Sequence, residues 1–134
     1  KMNFLAAEFV EGSAHHATVR LAGGATVRCE VDGSSGRAGD PLTLGVRPEH
    51  WVVGGAHNRL EVQVTFVEQL GSTTHAYCAF EGATEDLTCE LDGRMRVRSA
   101  QALTLSVPSD ATYLFDAQGQ AWRRHVSAER TLAA

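Results

Sequence analysis

The sequence has 134 residues, of which 43% are hydrophobic and 21% charged, and its formal net charge is −4. This size and composition fit one globular domain, or two small β units that share a core, and exclude an intrinsically disordered chain. The negative charge and an aromatic content of only 7% argue against nucleic acid as a partner, and no apolar run reaches the roughly 18 residues that span a bilayer.

Alternation of apolar and polar residues dominates the sequence and predicts strands with one buried face. In chain order, the alternating runs are Ala25–Val31, Leu42–Val46, Leu60–Phe66, Leu87–Leu91 and Leu103–Val107. Turn signals separate them, such as Gly23-Gly24 and Asp92-Gly93. No window of 11 or more residues keeps a helical period, so the sequence predicts an all-β fold.

The order of elements repeats along the chain. Cys29–Gly33 recurs as Cys89–Gly93, with valine replaced by leucine. The other matched pairs are Leu42–Pro48 with Leu103–Pro108, Asn3 with Asn58, and Val10-Glu11 with Val67-Glu68. This indicates an internal duplication, with chance similarity between strands as the alternative. We predict a first β unit over residues 1–57, a second over residues 58–125 and a C-terminal tail over residues 126–134.

Glu68 has the same parity along its strand as the apolar Val62, Val64 and Phe66. Regular pleating would therefore point its carboxylate at the core, unless a β-bulge turns it outward or the strand ends at Val67. Gly71 predicts a sharp bend just beyond it.

The segment Arg47–His50 follows an apolar strand, and Pro48 cannot donate to a ladder hydrogen bond. We expect the chain to turn there, with Arg47 and Glu49 either paired with each other or bracing a neighbouring loop. Two basic clusters occur, Arg94/Arg96/Arg98 and Arg123/Arg124/His125. The first alternates along an extended segment and is predicted to be a solvated face, with an anion or an acidic partner surface as the alternative.

No residue pattern suggests catalysis or a bound cofactor. The sequence contains no G-x-x-x-x-G-K-[ST] loop, no G-x-S-x-G elbow and no H-E-x-x-H helix. The six histidines are scattered, and the three cysteines, Cys29, Cys78 and Cys89, have no C-x-x-C spacing, so neither a metal site nor a disulfide framework is expected. Cys29 and Cys89 alternate in phase with core residues and are predicted to be inert core filler.

Four segments occur in an order that resembles a known family: Lys1–Leu5, Leu44–His50, Val67–Thr73 and Leu114–Ala121. Together they resemble the C-terminal TOBE or OB-like regulatory domain of the ATP-binding subunits of ABC importers, most closely the maltose-importer type. The resemblance extends from Lys1 to about Arg124. The chain begins directly with a strand-like segment, and we interpret it as a fragment of a longer polypeptide.

The resemblance implies an OB-type β-barrel, TOBE- or MOP-like, in which the second unit completes the domain. It also implies a regulatory role that supports pairing of two ATP-binding subunits. ATP and Mg²⁺ would bind an upstream ATPase domain. The partners would be that domain, a second ATP-binding subunit, an integral-membrane permease and a regulatory protein, on the cytoplasmic face of the cell membrane. The residues that match the family motifs, and that we expect to determine the fold and its interfaces, are Asn3, Arg47, Pro48, Glu49, His50, Glu68, Leu70, Gly71 and Phe115.

Molybdate-binding modules are built from tandem β units of similar size, and a small oxyanion-binding module is therefore the alternative function. Against this alternative, the opening Lys1-Met2-Asn3-Phe4 lacks the serine and arginine that those modules carry beside the asparagine.

Overall fold

A computed structural model describes residues 1–125, so the predicted tail at 126–134 lies outside the described residues. Within this range, the chain forms ten strands and two single 3₁₀ turns, at Pro48–His50 and Ser109–Ala111. The all-β prediction is confirmed. Across the same residues, the structure contains no helix of the length and apolarity that crossing a membrane would need.

The strands form two antiparallel sheets of five strands each. In chain order they are β1 (Asn3–Gly12), β2 (Ala17–Leu21), β3 (Thr26–Cys29), β4 (Pro41–Val46), β5 (Val52–Val53), β6 (Arg59–Gln69), β7 (Thr73–Ala79), β8 (Leu87–Asp92), β9 (Ala102–Ser106) and β10 (Thr112–Phe115). The first sheet has the order β10-β4-β1-β2-β3, and the second has the order β5-β9-β6-β7-β8.

The two halves of the chain exchange one strand each. Strand β5 follows β4 in sequence but pairs with β9 in the second sheet, and β10 follows β9 but pairs with β4 in the first sheet. The predicted division between residues 57 and 58 falls between β5 and β6. Each sheet is therefore completed by a strand from the other half, and neither half has a complete sheet of its own.

The strand pairings support the duplication. Phe4 and Arg59 each follow one of the matched asparagines, Asn3 and Asn58. Phe4 lies opposite Gly45 in the first sheet, and Arg59 lies opposite Ser106 at the equivalent place in the second. Each long strand also carries a β-bulge at the equivalent place, at Val10 in β1 and at Thr65 in β6. One predicted correspondence is wrong: with the bulges aligned, Glu11 is equivalent to Phe66, and the pair Val10-Glu11 does not match Val67-Glu68.

The core consists mainly of the inward-facing aliphatic side chains of both sheets. Leu5, Leu44 and Leu114 of the first sheet and Leu60 and Leu105 of the second are among its fully buried members. All three cysteines are buried, as predicted for Cys29 and Cys89. At about 25 cal/mol per Å² of apolar surface, this burial is the main stabilising contribution to the fold.

The bulge at Thr65 reverses the faces of the last part of β6. The strand continues to Gln69, so the possibility that it ends at Val67 is wrong. Val62 and Val64 are buried, but Phe66, which the alternation predicted to be buried, is 57% exposed, and Glu68 is exposed as well. The outward orientation of Glu68 therefore follows from an inserted residue, which apolar alternation alone does not locate.

Candidate functional site

Asn3 and Asn58 hold the two halves of the chain together by the same geometry. The amide of Asn3 donates to the carbonyl of Thr88 at 2.8 Å, and its oxygen accepts the backbone N–H of Thr88 at 2.8 Å. Asn58 forms the equivalent pair with Arg28, at 3.0 and 2.8 Å. The Asn3 amide thus binds the outer edge of β8, and the Asn58 amide binds the outer edge of β3. Each satisfies backbone groups of a strand in the other half.

The Asn58 side chain has further contacts, and its backbone is unusual. Its amide also lies 3.0 Å from the carbonyl oxygen of Val107 and 3.3 Å from Oγ of Ser109. Its φ is +54°, in the left-handed region that asparagine tolerates better than most residues. The sequence repeat pointed to Asn58, but the motif resemblance did not include it among the interface residues.

The segment Arg47–His50 forms a corner, as predicted from Pro48. After β4 the chain enters the 3₁₀ turn Pro48–His50, with proline at its start, and this turn packs against β8 of the other sheet. Next to the turn, Nε1 of the buried Trp51 has no hydrogen-bond partner within residues 1–125, and neither has Nδ1 of His50. The corner therefore contributes to the contact between the two halves.

Arg47 contacts Tyr113 on β10. Nε of Arg47 donates to the hydroxyl oxygen of Tyr113 at 3.3 Å, and this hydrogen bond raises the pKa of Arg47. Its guanidinium carbon lies 5.4 Å from the centre of the tyrosine ring. Of the two predicted alternatives for Arg47, bracing a neighbouring segment is therefore the one that the geometry supports.

Arg124 also packs on Tyr113. Its guanidinium carbon lies 3.9 Å from the ring centre, and its nitrogens donate to the carbonyl oxygens of Thr112 and Asp110 at 3.1 and 2.7 Å. Arg94, Arg96 and Arg98 are exposed, as predicted for the first basic cluster. In the second cluster Arg123 is exposed, but Arg124 and His125 are only partly exposed. No sequence pattern distinguishes Arg124 from Arg123.

Glu68, Leu70 and Gly71 lie at the tip of the β6–β7 hairpin. Gly71 has a φ of +83°, which confirms the predicted bend. Leu70 is 50% exposed. The Tyr77 hydroxyl donates a hydrogen bond to the Glu68 carboxylate, with 3.1 Å between the two oxygens, and this hydrogen bond raises the pKa of Tyr77. Their exposure fits an interface role, which stays a prediction.

Phe115 lies on the outer face of the first sheet. Its ring packs edge-on against Phe4 with centroids 5.9 Å apart, and a side chain at Gly45 would collide with Met2 and approach Phe115. Phe4 is 57% exposed.

The structure does not bring the predicted motif residues together at one place. Asn3 and the 3₁₀ corner lie beside β8, and Arg47 contacts Tyr113 on β10. Glu68, Leu70 and Gly71 lie at the tip of the β6–β7 hairpin.

A cleft of about 470 Å³ lies beside the Asn3–Thr88 contact. Four carboxylates line it, against one lysine and one histidine: its ionisable residues are Glu49, Glu85, Asp86, Glu90, Lys1 and His75. Its charge balance is therefore negative at neutral pH. This cleft attracts cationic groups and repels anions.

The described residues contain no cluster of three or more histidine, cysteine or acidic side chains that could hold a metal ion. Burial raises the pKa of the Cys29 and Cys78 thiols to about 11 and that of Cys89 to about 12. These thiols are neutral at physiological pH and are poor nucleophiles.

Two family models match the chain: the MalK OB fold domain over residues 1–51, and the TOBE domain over residues 44–115. The maltose/maltodextrin import ATP-binding protein MalK of Vibrio vulnificus (strain YJ016) is 33% identical over 125 residues, which are 92% of this chain and 34% of that protein. The sn-glycerol-3-phosphate import ATP-binding protein UgpC of Chromohalobacter salexigens is 37% identical over 118 residues, which are 85% of this chain and 31% of that protein.

The chain thus spans about a third of the length of these relatives. Among solved structures, the molybdate-bound form of the cytoplasmic molybdate-binding protein ModG has a TM-score of 0.68 at 14% identity, covering 84% of this chain and 94% of that one. At this identity the likeness shows the fold alone. Together with the family models, these matches confirm the predicted OB/TOBE fold class and the resemblance to importer ATP-binding subunits.

Proposed function

Since this chain belongs to the TOBE domain family, whose model matches residues 44–115, we propose that it is the non-catalytic C-terminal domain of the ATP-binding subunit of an ABC-type sugar importer. In this role it supports the pairing of two ATP-binding subunits while their nucleotide sites open and close, and it receives regulatory proteins. It does not hydrolyse ATP itself.

The observation that carries this proposal is the extended match to import ATP-binding proteins. The alignment with the MalK protein of Vibrio vulnificus covers 92% of this chain. Only 34% of that protein is aligned, and this chain contains no G-x-x-x-x-G-K-[ST] loop. We propose on these grounds that ATP and Mg²⁺ bind an upstream ATPase domain.

The geometry is compatible with a structural role. Strand exchange and the two asparagine contacts join both halves into one body. A domain that holds two subunits together while other parts move has to resist deformation, and two sheets that are interlocked by exchanged strands do so. The further partners in this proposal are the upstream ATPase domain, a second ATP-binding subunit and an integral-membrane permease, which places the protein at the inner face of the cell membrane.

The reading frame upstream of Lys1 tests the proposed parent protein. We expect it to encode a phosphate-binding loop and the ABC signature motif, and the 134-residue chain to show no ATPase activity. A start codon directly before Lys1 with no ATPase ahead of it would contradict the proposal. So would saturable ATP hydrolysis by the purified chain that co-purifying enzymes do not explain.

Oxyanion binding is the second candidate, because the fold resembles that of the molybdate-binding protein ModG. Two features weigh against it. Both polar atoms of the Asn3 amide are engaged by Thr88, and the adjacent cleft is lined by the carboxylates Glu49, Glu85, Asp86 and Glu90. A dianion placed there would meet repulsion.

Calorimetric titration of the chain with molybdate, tungstate and sulfate separates the two candidates. We expect no saturable heat with any of the three anions. Tight, saturable binding of molybdate or tungstate would favour the oxyanion-binding module.

A further inference from the structure

The repeated motifs Cys29–Gly33 and Cys89–Gly93 have different neighbours in the structure. Glu30, Val31 and Asp32 of the first copy are equivalent to Glu90, Leu91 and Asp92 of the second. Each copy lies at the outer edge of its sheet, because it continues or ends the edge strands β3 and β8. An open strand edge can accept a further extended segment.

In the first sheet, the edge is occupied by a basic segment of the same chain. Asp32 donates its N–H to the carbonyl of Arg123 at 2.7 Å, and His125 donates its N–H to the carbonyl of Glu30 at 2.9 Å. Val31 and Arg124 form an antiparallel bridge between these contacts. The molecule itself therefore shows that this edge accepts an extended segment through backbone hydrogen bonds, and the segment that it accepts is Arg123–His125.

The acidic residue of the motif lies near cationic side chains in both copies. Hydrogen bonds from the Ser34 hydroxyl and N–H lower the pKa of Asp32, and the nearby charges of His125 and Arg123 lower it further. In the second copy, Asp92 binds the guanidinium of Arg94 at 3.0 Å. Both motif carboxylates thus lie near cationic side chains.

In the second sheet, no described strand covers the corresponding edge. Strand β8 pairs only with β7 among the described strands. Asn3 occupies the outward backbone groups of Thr88. Since alternate residues of an antiparallel strand direct their N–H and C=O to the same side, the N–H and C=O of Glu90 and the N–H of Asp92 face this edge too. The carbonyl oxygen of Asp92 accepts the N–H of Met95 at 2.9 Å.

The surroundings of the open edge suit the same kind of occupant. The cleft beside it is lined by Glu49, Glu85, Asp86 and Glu90. The 3₁₀ turn Pro48–His50 packs on β8, just as the 3₁₀ turn Ser109–Ala111 packs on β3. On the first sheet, the turn Ser109–Ala111 leaves room for the basic segment. An incoming arginine or lysine would therefore lie among carboxylates.

We propose that the edge of β8 from Glu90 to Asp92 is a docking site for an extended, arginine- or lysine-bearing segment of a partner protein. The segment adds a strand to the second sheet and places its cationic side chains in the acidic cleft. This proposal goes beyond the transport role and does not depend on it.

The test uses the full chain and a capped peptide with the sequence of residues 119–125, Gly-Gln-Ala-Trp-Arg-Arg-His. Binding is followed by backbone amide shifts in NMR and by fluorescence anisotropy of the labelled peptide. We expect saturable binding, shifts at the amides of Glu90 and Asp92, and weaker binding as salt is added.

Two modified peptides separate strand pairing from charge. In the first peptide, the backbone nitrogen of the histidine is methylated, which removes the N–H that His125 donates on the first sheet. We expect this change to weaken binding about three- to tenfold. Replacing both arginines by neutral citrulline is expected to weaken binding and to remove its dependence on salt. Equal affinity of all three peptides would contradict the proposal.

Glu90→Gln and Glu30→Gln are the matched protein variants. We expect Glu90→Gln to weaken peptide binding and Glu30→Gln to leave it unchanged. Shifts confined to Glu30–Asp32 would mean that the peptide only exchanges with the chain's own segment, and would overturn the proposal. The absence of saturable binding would overturn it as well.

Discussion

Asn3 and Thr88 lie 85 residues apart in the sequence, yet they exchange two hydrogen bonds of 2.8 Å through the side chain of one and the backbone of the other. Asn58 and Arg28 repeat this arrangement with the roles of the two halves reversed. In both cases, an asparagine at the start of a long strand occupies the open edge of a strand in the other half. The duplication is thus accompanied by reciprocal contacts between its two copies.

Replacing either asparagine is expected to lower the free energy of unfolding. Asn3→Ala leaves an N–H and a carbonyl of Thr88 without their partner, and should cost about 1 to 2 kcal/mol. Asn58→Gly loses more hydrogen bonds than Asn3→Ala does, but glycine adopts the left-handed backbone of this position without strain. Asn58→Ala should cost about 1 kcal/mol more than Asn58→Gly, because alanine is strained at a positive φ. Urea unfolding followed by circular dichroism measures all three. Wild-type stability in Asn3→Ala would contradict this account.

The Tyr113 ring and its two arginines provide a second prediction. Arg124→Gln removes a guanidinium that stacks on the ring and binds two carbonyl oxygens, and should lower the free energy of unfolding by about 1 to 2 kcal/mol. Arg123→Gln is the matched control, because Arg123 is exposed, and should change stability by less than about 0.5 kcal/mol. Thermal unfolding compares the two variants, and equal effects would contradict the assigned role of Arg124.

Because the bulge at Thr65 reverses the faces of β6, we expect truncation to alanine to destabilise the fold much more at Val64 than at Phe66. Val64→Ala removes buried methyl groups and should cost about 2 kcal/mol, whereas Phe66→Ala should cost less than about 1 kcal/mol despite the larger side chain. Phe66 retains some contact with Tyr77, whose ring centroid lies 5.9 Å away. Chemical unfolding of both variants tests this order, and the reverse order would mean that the strand is regular in solution.

Burial of the thiols predicts how stability and reactivity depend on pH. A thiol ionises near pH 9.0 in the unfolded chain, but folding raises the pKa of Cys29 and Cys78 to about 11 and that of Cys89 to about 12. The folded state therefore holds these protons more tightly. Its stabilisation by neutral thiols is fully present below pH 9 and is lost as the pH rises through 11 and 12.

At pH 8, the native thiols should therefore react with a disulfide reagent at least about a hundredfold more slowly than those of the chain unfolded in guanidinium. Absorbance of the released thiolate measures both rates. Rapid reaction of the native chain would show that at least one cysteine is accessible and that its burial is not maintained.

The sequence predicted those features that depend on alternation and local turn chemistry. The runs Leu42–Val46, Leu87–Leu91 and Leu103–Val107 correspond to β4, β8 and β9, and Gly71 forms the predicted bend. It did not predict the strand exchange, because apolar alternation is the same whichever sheet a strand joins. The exposure of Phe66 was missed because a single inserted residue reverses the faces of a strand.

The candidate interface was predicted only in part. Asn3 and Pro48 were identified from motifs, and both lie where the halves meet. Asn58 was visible only through the repeat, and Arg124 was indistinguishable from Arg123, since their contacts join residues distant in sequence. Such contacts depend on the tertiary arrangement, which local patterns do not specify.

The most direct test of the proposed role compares the full-length ATP-binding subunit with a version that lacks these 134 residues. Light scattering after size-exclusion chromatography gives the mass of each protein without nucleotide and with ATP. We predict that the full-length subunit stays dimeric in both conditions, and that the shortened one is monomeric without nucleotide. A shortened subunit that remains as dimeric as the full-length protein without nucleotide would contradict the role of this domain in pairing the subunits.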